Sequence, residues 1–194
     1  MKLPQINALP NASELLNSKF WGKLSVKNTY SFLQFVKKGG VQNILHELKY
    51  RNNPELANYM GKWFANTVLL ESFKDDKPDL ILGVPLHPIK QKRRGYNQAD
   101  EIAKGLSEIL EIPFSTTALA RNTFTETQTK KSRFRRFQNM DGVFVVRAPE
   151  LIKGKHIVLV DDVLTTGATL EIAGAEILKA EAACISIVTI AAAL

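Results

Sequence analysis

Two carboxylates stand side by side at the end of an apolar run, directly before a turn of small hydroxyl residues: Ile157 to Leu170 reads IVLVDDVLTTGATL. Ionised aspartates only accept hydrogen bonds, whereas threonine hydroxyls, turn N–H groups and a helix N-terminus donate to anions. The two halves of the stretch therefore suit opposite ends of one ligand. A phosphorylated sugar satisfies both, with its phosphate ester on Thr165, Thr166, Gly167, Ala168 and Thr169 and its vicinal hydroxyls on Asp161 and Asp162. Gly167 permits a backbone geometry or an approach that a side chain would hinder. A Mg²⁺ ion near the sugar, held by Asp161 and Asp162 directly or through water, would ease the proximity of acid and phosphate. The stretch is not a Walker loop, since GxxxxGK[ST] is absent, and no GxGxxG fingerprint follows a strand. An acid-edged buried strand before an ordinary N-capped helix is the plainer alternative. The paired-acid Mg²⁺ pocket of a receiver domain leaves three threonines unexplained.

The elements that must position these residues alternate along the chain. HIVLV before the acids and CISIVTIA from Cys184 read as strands. They flank a helix from about Ala168 to Ala180, with Ile172, Ala175 and Leu178 on one face. DLILGVPL is a buried strand, and NQADEIAKGLSEIL a helix with Asn97 as N-cap and Ile102, Ala103, Leu106, Ile109 and Leu110 on one face. FSTTALA and GVFVV are further strand candidates. VQNILHELKY and PELANYMGKWFANTVLL read as helices, the second with Pro54 in its first turn. NTYSFLQFV suits an edge strand. Strand, helix, strand order implies a parallel sheet with right-handed crossovers, whose carboxyl edge is where open α/β sheets bind ligands.

Length and composition agree with one soluble globular domain. The chain has 194 residues, 45% hydrophobic and 23% charged. No apolar run is long enough to span a membrane and the start lacks a signal-peptide layout, so a cytoplasmic protein is expected. The single Cys184 rules out an internal disulfide or a cysteine-rich zinc site within these residues. A net charge of +7 favours acidic partners, either nucleic acid or a polyphosphate.

VLVDDVLTTGAT closely resembles the phosphoribosyl-pyrophosphate (PRPP) signature of type I phosphoribosyltransferases. Three more stretches resemble landmarks of the ComF family within that superfamily. They are GVPLHPIKQKRRGYNQADEIAKGL, the early LHELKYRNN, and LARNTFTETQTKKSRFRRFQNMDGVF. In the last of these Arg121, Thr123, Thr127, Gln128, Arg133, Asn139 and Phe144 match. The resemblance covers roughly residues 20 to 194. It implies an α/β fold of the Rossmann-like type I phosphoribosyltransferase kind, a mainly parallel sheet flanked by helices with a small N-terminal hood. Residues 1–40 would form an extension and part of that hood, and 41–194 the core domain. ComF proteins generally begin with a cysteine-rich zinc module. No cysteine precedes Cys184, so no zinc is expected here.

The resemblance further implies an enzyme that moves a 5-phosphoribosyl group from Mg²⁺·PRPP to a nitrogenous acceptor, with Asp161, Asp162 and Arg133 as catalytic candidates. Leu86 and His87 in the turn after the first core strand, with Arg94, would face the pyrophosphate. Arg133 and Arg136 would clamp it from the long basic segment between Asn122 and Asn139, a length typical of active-site lids. Trp21, Phe32, Tyr50 and Trp63 are the hood aromatics, and aromatics at those spacings are more often core than base-stacking platforms. The family's link to natural competence supplies the rival readings. One is a DNA-uptake protein binding single-stranded DNA or a competence helicase through Lys90 to Arg94 and Lys130 to Arg136. The other is a PRPP sensor without turnover. Type I enzymes are often homodimers, and this chain is compatible with one.

Overall fold

The computed structural model describes residues 3–122 and 142–194. Five strands form a parallel sheet: β1 (Asn28–Gln34), β2 (Leu80–Gly83), β3 (Phe114–Ser115), β6 (His156–Leu164) and β7 (Cys184–Ala192), in the order β1-β7-β6-β2-β3. The apolar runs read as buried strands are these central strands, covered on both faces as parallel sheets require. β4 (Leu119–Arg121) and β5 (Phe144–Val146) pair antiparallel in a separate two-stranded sheet. FSTTALA is thus not one strand. The Ser115 hydroxyl accepts from the N–H groups of Thr117 and Ala118 at 3.3 and 3.1 Å, which turns the chain between β3 and β4.

Seven helices flank the sheets among the described residues. They are α1 (Ala12–Asn17), α2 (Gly40–Tyr50), α3 (Pro54–Phe64), α4 (Leu70–Ser72), α5 (Pro88–Arg94), α6 (Gln98–Leu110) and α7 (Ala168–Lys179), with one π-helical stretch, Ala65–Leu69, joining α3 to α4. The Asn53 side chain caps α3 by accepting from Leu56 N, and Asn97 caps α6 by accepting from Ala99 N. Helices α2, α3 and α6 cover one face through Leu45, Leu48, Met60, Phe64 and Ile102 against Val158, Val160, Val188 and Ile190. Ile6, Leu16, Phe20, Leu170 and Ile177 cover the other, against Ile157, Leu159, Ile185 and Ile187. A Cβ at Gly105 would lie 2.1 Å from Asn58 O and one at Gly61 2.4 Å from Ile102 O, so α3 and α6 cross backbone to backbone.

Three expectations change. The strand through the acids does not stop at them; β6 continues to Leu164. The fully buried face of α7 is Leu170, Ala173, Gly174 and Ile177, while Ile172, Ala175 and Leu178 are only partly covered. The edge strand before residue 41 does form, but it hydrogen-bonds to β7 along its length, so residues before 41 belong to the main sheet as well as to any hood.

Candidate functional site

Asp161 and the hydroxyl turn line one pocket, together with Val163, Thr165, Thr166, Gly167, Ala168 and Thr169. The backbone builds it. Gly167 takes φ +83° as the N-cap of α7, a left-handed conformation that glycine adopts without strain, and a Cβ there would press on Phe20 Cε1 at 3.0 Å. The first N–H groups of a twelve-residue helix therefore open towards the pocket beside exposed threonine hydroxyls. Asp161 is half-buried, and its Oδ1 accepts from the N–H of Asp162 at 2.8 Å. Burial, reinforced by the Asp162 charge, pushes its carboxyl up to about 7, with Lys49 and Arg121 pulling the other way.

Asp162 occupies a different environment. Successive strand residues point to opposite faces, and its carboxylate enters the layer beneath α2 and α6. There Oδ2 receives Lys49 Nζ at 3.1 Å and Gln98 Nε2 at 3.0 Å, with the side chain only 4% exposed. Arg94 Nη1 donates to Gln98 Oε1, which extends the chain of contacts to α5. The remaining RGYNQ residues fix the same joint. Gly95 ends α5 at φ +87°, Tyr96 Oη donates to Leu48 O at 2.5 Å, and Asn97 Nδ2 donates to Val84 O at 3.1 Å. LKY, RGYNQ and the acid pair thus form one bonded unit, with Asp162 at its centre.

The turn after β2 borders a separate cleft of about 610 Å³, lined in part by Leu86, Asp100, Glu101, Arg121 and Arg147. His87 Nδ1 accepts from Ile89 N at 3.3 Å and so caps α5. Asp100, in the first turn of α6, is pushed up to about 6 by burial, against a lowering hydrogen bond with Asn97. Arg121 lies over the Phe144 ring, 5.2 Å from its centroid. Arg94 lines a third pocket with Lys49, Tyr50, Asn52, Lys90 and Arg93.

Of the four aromatics, Phe32 is core and Trp63 packs edge-on against it at 4.8 Å, whereas Trp21 and Tyr50 are exposed. Arg133 and Arg136 lie outside the described residues, as do Thr123, Thr127, Gln128 and Asn139. Among the described residues there is no group of three or more His, Cys, Asp or Glu side chains able to hold a metal, and no helix long and apolar enough to cross a membrane. Sequence reasoning did not assign Lys49 and Gln98. The LKY and RGYNQ stretches that contain them were the available signal.

A mainly parallel sheet flanked by helices, with an acid-and-threonine pocket at the carboxyl edge of a central strand, defines a Rossmann-like α/β protein whose candidate site lies where such sheets bind ligands. Residues 48–194 match the family described as phosphoribosyl transferase domain, and the chain belongs to it, as a ComF-type member of the type I class. The DNA utilization protein YhgH of Escherichia coli O157:H7 is 33% identical over 129 residues, 66% of this chain and 56% of that protein. The competence protein ComFC of Bacillus subtilis is 28% identical over 165 residues, 84% of this chain and 62% of that protein. The chain therefore spans little more than half the length of these relatives. Among solved structures, the glutamine PRPP amidotransferase from B. subtilis, complexed with ADP and GMP, shares the fold at TM-score 0.53. Its sequence is 20% identical, over 74% of this chain and 30% of that one.

Proposed function

We propose that this protein binds PRPP and transfers its 5-phosphoribosyl group to a nitrogen acceptor, releasing pyrophosphate. The observation that carries the reading is the single pocket shared by Asp161 and the Thr165–Thr169 turn. The turn would hold the 5′-phosphate with N–H and hydroxyl donors, and Asp161 would accept from the ribose hydroxyls. The N–C1′ bond forms as the C1′–O bond breaks, and the electron pair leaves with pyrophosphate. Positive charge developing on the sugar would lie close to the Asp161 carboxylate.

Asp162 acts through position rather than contact. Held by Lys49 and Gln98, it fixes β6 and hence the place of Asp161. In this reading Leu86, His87 and Arg94 serve the pyrophosphate, since β2 neighbours β6 in the sheet and its following turn leads into α5. Mg²⁺ fits the hard oxygen of Asp161 provided the diol and diphosphate of the donor bring most of the ligands, and when bound it would neutralise charge on the departing pyrophosphate. Calorimetric titration with Mg²⁺·PRPP followed by a pyrophosphate-release assay tests the reading. Saturable binding is expected, and its absence refutes it.

A second reading has its own observation. The pocket formed by Lys49, Lys90, Arg93 and Arg94 concentrates cations as a nucleic-acid phosphate would require, and relatives carry the names DNA utilization protein and competence protein. Single-stranded DNA binding that weakens steeply with salt, without PRPP affinity, would favour this reading.

A further inference from the structure

Resting on the transferase reading, we propose that Thr189 and Ser31 are positioning residues for Asp161. Their hydroxyls form a donor row across three strands, aimed at the Asp161 carboxylate when it accepts from a bound sugar. Both side chains are buried, Thr189 completely, and neither hydroxyl has a hydrogen-bond partner among the described residues. An unmet donor costs stability when it is taken out of water, so such groups are scarce in folded proteins and each one calls for a reason.

The strand register supplies that reason. β7 lies between β6 and β1, with Thr189 opposite Asp161 on one side and opposite Ser31 on the other. Residues paired in this way share a face of the sheet, and adjacent strands stand about 4.8 Å apart. The neighbours fix which face it is. Val160, Val188 and Ile190 point into the layer beneath α2, α3 and α6, and Asp162 meets Lys49 and Gln98 there. By alternation Asp161, Thr189 and Ser31 point to the opposite layer, where Leu159, Ile187, Leu170 and Phe20 pack.

The carboxylate has room for the row. Asp161 Oδ1 takes the N–H of Asp162 at 2.8 Å, and Oδ2 has no donor among the described residues. A carboxylate oxygen accepts more than one hydrogen bond, so Oδ2 can face a ribose hydroxyl on the pocket side and Thr189 on the sheet side. Rotation about χ1 brings Thr189 Oγ1 round as donor, and Ser31 Oγ then donates to Thr189 Oγ1. Hydroxyls linked in this order polarise one another and hold the acid in one rotamer against the sugar. Thr29 provides an internal control. Its hydroxyl is also buried and unpartnered on the same face of β1, but it stands opposite Ile187, two residues short of the Asp161 row.

The test pairs calorimetric titration with Mg²⁺·PRPP and urea unfolding. The proteins are the full chain, Thr189→Val, Thr189→Ser, Ser31→Ala and Thr29→Val, with Thr189→Val also made in Asp161→Asn. Removing an unpartnered buried hydroxyl should leave the urea midpoint unchanged or higher in Thr189→Val, Ser31→Ala and Thr29→Val. Thr189→Val should nevertheless weaken PRPP binding fivefold or more and Ser31→Ala by a smaller factor, whereas Thr189→Ser and Thr29→Val keep the parental affinity. The loss caused by Thr189→Val should disappear in the Asp161→Asn background. Parental affinity in Thr189→Val, an equal loss in Thr29→Val, or an undiminished loss in the Asp161→Asn background overturns the proposal even though PRPP binds. A lowered urea midpoint in Thr189→Val would mark its hydroxyl as structural and overturn it as well. Failure of PRPP to saturate the parent protein removes the transferase reading first, and this inference with it.

Discussion

Lys49 Nζ lies 3.1 Å from Asp162 Oδ2, tying the LKY end of α2 to the acid pair of β6. Because Asp162 is only 4% exposed, removing its cation leaves a buried charge with one remaining donor, Gln98. Lys49→Met should destabilise the fold by about 1–3 kcal/mol, less than the roughly 3–5 kcal/mol of a fully buried broken pair because Lys49 itself is partly exposed. Adding Asp162→Asn should restore part of the loss. Urea unfolding of the two single variants and the double variant measures the coupling, and strictly additive losses would show the contact to be energetically idle.

Asp161 titrates near neutrality because burial and the Asp162 charge disfavour its ionised form. Ribose hydroxyls, or a cation, interact best with the carboxylate, so ligand binding should lower this pKa and release a proton. Affinity for Mg²⁺·PRPP is therefore expected to rise with pH up to about 7 and to level off above it. Calorimetry at pH 6.5 in two buffers of different ionisation enthalpy reads the released proton directly. Identical heats in the two buffers would exclude it.

Asp100 gives a stability test independent of any ligand. Its folded pKa, about 6, lies above the unfolded value, so the native state holds the proton more tightly. The sign follows: stability is greatest below the unfolded pKa and falls as pH rises towards 6. Asp100→Asn, which removes the buried charge, should raise stability at pH 8 by about 1–2 kcal/mol, less than the full two-unit shift would give because the site opens onto a cleft. It should change little near pH 4. Thermal unfolding at both pH values checks this.

Gly167→Ala places a Cβ at φ +83° and 3.0 Å from Phe20 Cε1. A loss of about 1–2 kcal/mol is expected from the left-handed backbone, with further strain against the ring. Weaker Mg²⁺·PRPP binding should accompany it, because the turn N–H groups move. An unchanged Tm and affinity would show that the turn tolerates a side chain.

The features legible in the sequence were those set by local chemistry. Apolar runs marked β2, β6 and β7, Asn97 and Pro54 marked helix starts, and the glycine and threonines after the acids marked the turn. What escaped depended on partners distant in the chain. The partners of Asp162 were not legible, because nothing in VLVDDV reveals that Lys49 and Gln98 meet its carboxylate. The end of β6 was misplaced for the same reason, since acids interrupt a strand unless their neighbours neutralise them. The side of α7 that becomes buried depends on where Leu24 and Phe20 pack, and Leu24 Cδ2 lies 2.6 Å from where a Cβ at Gly174 would stand. The split of FSTTALA came from one serine hydroxyl competing for backbone N–H groups.

Calorimetric titration of the parent protein and Asp161→Asn with Mg²⁺·PRPP bears most directly on the shared sugar-phosphate pocket. Saturable binding by the parent, weakened tenfold or more in the variant, about 1.4 kcal/mol, is the expected result. Equal affinity in the two proteins, or no saturation in either, would contradict it.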